Sequence, residues 1–139
     1  MFQLMLYAQS YETLSKNIIR ELNYIYQDKT WKGGSTFKEG RTFKYTFKSV
    51  SSYEIEIMRN INGISDDVFI LDLKESFSIE LEPDIKCDPA LTISHELDII
   101  YLYVKDRCGH FGGFNLYKRA EDASVLLRQY LYQARELRK

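Results

Sequence analysis

Cys87, His95, Cys108 and His110 are the only cysteines and histidines in the chain, and all four fall in one short stretch. That stretch runs into the densest glycine cluster, Gly109-His110-Phe111-Gly112-Gly113-Phe114. Two thiols and two imidazoles are the ligand types that Zn²⁺ takes into a tetrahedron. Structural zinc sites draw on close ligand pairs, each from one knuckle. Here Cys87 and His95 are separated by seven residues that include a proline, which is not the close pair of one knuckle. The spacing therefore argues against zinc, and Cys87, His95, Cys108 and His110 stand as the ligand set only if a metal is bound. A cysteine nucleophile with a histidine base and Asp88 or Asp106 as orienter is a further arrangement. A reactive thiolate needs a positive setting, and this stretch is acidic. The glycines lack the Lys-Ser/Thr that completes a phosphate loop. Glycines between strands instead mark a bulge or a close backbone approach. No catalytic residue, metal or cofactor is expected.

The elements that would hold these residues read as follows. Ser10 is placed to cap a helix whose apolar positions Tyr11, Leu14, Ile18, Leu22 and Ile25 recur at intervals of three and four. Met1–Tyr7 fits either a short strand or an extension of that helix. The period then changes to two: Phe43, Tyr45 and Phe47 alternate with Lys44, Thr46 and Lys48, and Tyr53, Ile55 and Ile57 with Glu54 and Glu56. Asn62-Gly63 signals a turn. Phe69, Leu71, Leu73, Phe77, Ile79 and Leu81 share one parity, which allows one bent strand or, preferred here, a hairpin turning at Lys74-Glu75-Ser76. Pro83 and Pro89 bracket a loop. The nearly continuous apolar run Leu97–Val104 suggests a strand buried on both faces, followed by a turn and a last strand through Phe114, Leu116 and Tyr117. A closing helix takes Glu121 and Asp122 in its first turn and Ala123, Leu127, Tyr130, Ala134 and Leu137 as its apolar stripe. The fold class is α+β: one domain over residues 1–139, an antiparallel meander of about five or six strands with an N-terminal and a C-terminal amphipathic helix.

Charge is distributed in blocks. Met1–Asn62 carries nine Lys/Arg against six Asp/Glu, Gly63–Asp106 three against eleven, and Arg107–Lys139 seven against three. The acidic centre either neutralises the basic flanks locally or forms a negative face that recruits a cationic partner. Nucleic acid is disfavoured as a partner because the lysines are not gathered into one run. No apolar run approaches the roughly 18 residues of a membrane span, and the N-terminus lacks signal-peptide features, so a cytoplasmic protein is expected.

The segment from Glu96 to the C-terminus resembles the closing part of small bacterial immunity proteins that neutralise polymorphic toxins. The resemblance is carried by Leu97–Val104, the turn Asp106-Arg107-Cys108-Gly109-His110-Phe111, and the helix Ala120–Leu137. It implies a non-enzymatic cytosolic protein that binds and blocks one cognate toxin, and it brings over no catalytic residue.

Together these readings point to an inhibitory binding protein, either an immunity protein or a phage-type anti-defence inhibitor, that occludes a partner's active surface. The partner would be a protein with a basic surface, steered by Glu80, Glu82, Asp84, Glu96 and Asp98 and anchored by Tyr101 and Tyr103. The alternative is a small-ligand pocket between the curved sheet and its helices. Oligomeric state stays open.

Overall fold

The computed structural model describes residues 10–27, 31–32, 42–86, 88–105 and 114–139. Helix α1, Tyr11–Ile25, starts where expected: Ser10 is extended, and its hydroxyl accepts the Thr13 N–H at 3.1 Å. Leu14, Ile18, Leu22 and Ile25 form one fully buried stripe. Met1–Tyr7, whose conformation the residues leave open, lies outside the described residues.

Seven antiparallel strands follow among the described residues, in two sheets rather than one meander. The first sheet is ordered β1 (Trp31–Lys32), β2 (Thr42–Ser49), β3 (Glu54–Ile61), β4 (Ile64–Asp72). Tyr45, Ile55, Ile57, Phe69 and Leu71 point into the core, while Lys44, Lys48, Val68 and Ile70 point out. Asn62 (φ 53°) and Gly63 (φ 82°) close the β3–β4 hairpin. Two consecutive positive φ values suit the twist of a tight hairpin, which is why Asn-Gly stands there.

The second sheet is ordered β5 (Ser78–Leu81), β6 (Ala90–His95), β7 (Asp98–Tyr103). The hairpin expected at Lys74-Glu75-Ser76 does not form, because β4 and β5 belong to different sheets. The connection is a compact crossing: Asp72 Oδ1 accepts the Lys74 N–H at 2.9 Å, and Arg138 donates to the Leu73 carbonyl at 3.0 Å. Phe69, Leu71, Leu73, Phe77 and Ile79 keep one parity because both sheets turn their buried faces to one core.

Leu97–Val104 is also not a strand buried on both faces. Glu96, at φ 54°, and Leu97 turn the β6–β7 hairpin, and Leu97 is 97% exposed. Along β7, Ile100 and Leu102 are buried, while Ile99 and Tyr101 are each 42% exposed. Of the last strand, the described residues show a single bridge, Lys105 to Asn115, before helix α2 begins at Tyr117 and runs to Leu137. Its first turn therefore precedes Glu121 and Asp122, which pair instead with Lys118.

Small residues on α2 (Ala120, Ala123, Ser124) are buried against α1 and allow the two helices to pack together. Arg119 donates to the Ile25 carbonyl at 3.2 Å, satisfying an orphan acceptor at the end of α1. No helix among the described residues is long and apolar enough to cross a membrane.

Candidate functional site

Strands β4 and β7 each end a sheet among the described residues, and they lie close together without pairing. The direction of their backbone groups follows from hydrogen bonds at their ends. The Leu73 N–H donates to the Tyr53 carbonyl, so Leu71 and Phe69 face β3, and Val68 and Ile70 turn their N–H and C=O to the open edge. On β7 the Tyr103 N–H donates to the Tyr45 hydroxyl at 3.0 Å, and the Tyr103 carbonyl accepts from the Tyr26 hydroxyl at 3.0 Å. Tyr103 therefore faces away from β6, and by alternation so do Tyr101 and Ile99.

Between these edges is a cleft of about 310 Å³, with Asp67–Ile70 on one side and His95, Asp98 and Ile99 on the other. Val68, Ile70, Ile99 and Tyr101 give the surface a partly exposed apolar centre. Asp67 and Asp98 line the cleft itself, and Glu80 lies two strands from the edge in one cross-strand row with Thr92 and Tyr101.

His95 is fixed at one end of the cleft. Its Nδ1 donates to the Ser76 carbonyl, and its Nε2 is 3.5 Å from Glu75 Oε1. Its pKa is raised above the ordinary histidine value, first by the Ser76 carbonyl and then by the carboxylates of Glu96, Glu75 and Asp98. The imidazole is thus engaged by a carbonyl and a carboxylate.

The seven residues expected to bind a partner divide into two groups. Glu80, Glu96, Asp98 and Tyr101 are exposed on β5 and the β6–β7 hairpin, so one sheet presents them. Glu82 and Asp84 are diverted into holding the loop after β5. Glu82 Oε1 accepts the Ala90 N–H at 3.1 Å with Lys86 at 3.7 Å, and Asp84 pairs with Lys105 at 3.1 Å. Tyr103 is half-buried, and its backbone ties β7 to the core. Val68, Ile70 and Ile99 were not among the expected residues. The signal for the first two was legible, since they are apolar at positions whose parity opposes the buried Phe69 and Leu71.

Of the possible metal ligands, Cys87, Cys108 and His110 lie outside the described residues, as does the glycine cluster up to Gly113. Among the described residues no group of three or more His, Cys, Asp or Glu is placed to hold a metal ion. Compared with family models, characterised proteins and solved structures, the chain matches none. Its own surface has to carry the functional reading.

Proposed function

We propose that this chain is a non-enzymatic inhibitory binding protein of the cytoplasm, an immunity protein against a toxin or a phage anti-defence inhibitor. It covers the partner's active surface with the β4/β7 edges. The observation that carries this reading is the apolar centre Val68, Ile70, Ile99 and Tyr101, partly exposed and bordered by Asp67, Glu80 and Asp98. An apolar, aromatic centre inside a charged border is the anatomy of a protein interface, where the centre supplies affinity and the border steers approach. The complementary partner presents an apolar contact ringed by lysine and arginine.

The test begins with affinity capture on the full-length chain, followed by stopped-flow association with the captured protein and an assay of that protein's own activity. Tyr101→Ala weakens binding at least about tenfold if the ring is an anchor. Glu80→Lys combined with Asp98→Lys slows association about tenfold at low ionic strength and flattens its salt dependence. A partner that stays active when bound, or whose binding ignores all three substitutions, refutes the reading.

A further inference from the structure

A second cleft adjoins the β4–β5 crossing. Ser76 and Phe77 form one wall, and one stripe of α2 forms the other. Arg128, Leu131, Arg135 and Arg138 recur along that stripe at intervals of three and four, so their side chains share one helix face. Tyr132, 59% exposed, stands beside them. Arg138 is anchored by its bond to the Leu73 carbonyl. Arg128 and Arg135 make no hydrogen bond or ion pair among the described residues, and no carboxylate lines the cleft.

The three arginines line one cleft that no carboxylate lines, so the only charged side chains an anion meets there are positive. Guanidinium is also the donor whose planar fork matches phosphate oxygens. Buried Phe77 and half-buried Leu131 line the same cleft, so it is apolar as well as cationic. The cleft encloses about 340 Å³, the share of roughly ten water molecules at ~30 Å³ each. That space exceeds what a bare phosphate fills, and the exposed Tyr132 ring provides a flat face for the remainder.

We propose that this cleft binds the phosphate group of a small organic phosphate, with Arg128, Arg135 and Arg138 on the anion and Tyr132 against its ring. The site is separate from the β4/β7 surface, so it stands or falls independently of partner binding.

Calorimetric titration of the full-length chain with adenosine 5′-monophosphate, at constant ionic strength in sodium chloride, tests it. Adenosine and inorganic phosphate serve as partial probes. The expected result is saturable binding of one nucleotide per chain, weakened at least about tenfold by Arg128→Gln and by Arg135→Gln, since each removes a charge-assisted contact. Lys16→Gln, which removes an exposed cation from α1, leaves binding unchanged. Adenosine alone binds far more weakly than the nucleotide. Inorganic phosphate binding as tightly as the nucleotide would identify the free anion as the ligand of the same site. Absence of saturable binding by either phosphate compound, or binding unaffected by both arginine substitutions in chains with unchanged circular dichroism, overturns the proposal.

Discussion

His95 shows how one residue's protonation is built into the surface it borders. A carbonyl only accepts, so the bond to Ser76 requires the proton on Nδ1. In the neutral ring this leaves the Nε2 lone pair directed towards the Glu75 carboxylate, 3.5 Å away. Protonation turns that repulsive contact into an ion pair, and the neighbouring Glu96 and Asp98 act in the same direction. Because the folded-state pKa is raised, the group's contribution to stability is present in full below about 6.5, the unfolded value. It is lost as pH rises through the folded value. A proton NMR titration of the His95 ring should place its midpoint above that of a model peptide, and Glu75→Gln should move it down. A midpoint at or below the model-peptide value would show that the Ser76 and Glu75 contacts do not hold in solution.

Turns and caps are where single positions decide whether an element forms. At Gly63 an added Cβ would meet nothing within 4 Å, so any penalty there arises from its φ of 82° rather than from a clash. Gly63→Ala is expected to cost about 1 kcal/mol through the left-handed backbone alone, read as a lower urea midpoint with an unchanged slope. Ser10→Ala should cost about 1 kcal/mol by removing the acceptor for the Thr13 N–H. Equal midpoints for parent and variant would mean that the cap is replaced by solvent. These same elements were readable in the residues because each has one wet face and one dry face: the stripe of α1 and the alternation in β2 and β3 leave little choice. Other elements were less readable for definite reasons. A constant parity from Phe69 to Leu81 is equally consistent with a hairpin and with a crossing between two sheets that share a core. Strand β6 breaks alternation, with Ala90 and Leu91 both buried. The run Leu97–Val104 places apolar residues on a strand's outer face, which hydrophobicity alone cannot separate from burial. Glu80 and Asp98, singled out by charge, are exposed on the second sheet. Glu82 and Asp84 have the same charge but bond to Ala90 and Lys105, partners that only the folded loop brings within reach.

Across the whole molecule, three tyrosines connect elements that the sheet ladders leave separate. Tyr26 follows α1, Tyr45 belongs to the first sheet, and both hydroxyls bond to the backbone of Tyr103 on the second. Their rings are in contact, with centroids 4.9 Å apart. Burial raises both phenol pKa values; at Tyr45 the Tyr103 N–H and Arg59 oppose that rise without cancelling it. The stabilising contribution of the neutral phenols is therefore complete below about pH 10, the unfolded value, and is lost as pH rises through the folded values. An absorbance titration at alkaline pH should show these two tyrosines ionising later than the exposed ones, together with loss of the fold. Tyr45→Phe keeps the ring packing and removes one partner of the Tyr103 N–H, at a cost of about 1–3 kcal/mol. If this phenol joins the two sheets, native-state hydrogen exchange should accelerate at Tyr103 and spread along β7, the strand whose outward groups border the cleft. Exchange unchanged on β7 would mean that the sheets dock through side-chain packing alone, and that the geometry of the open edge does not depend on the core beneath it.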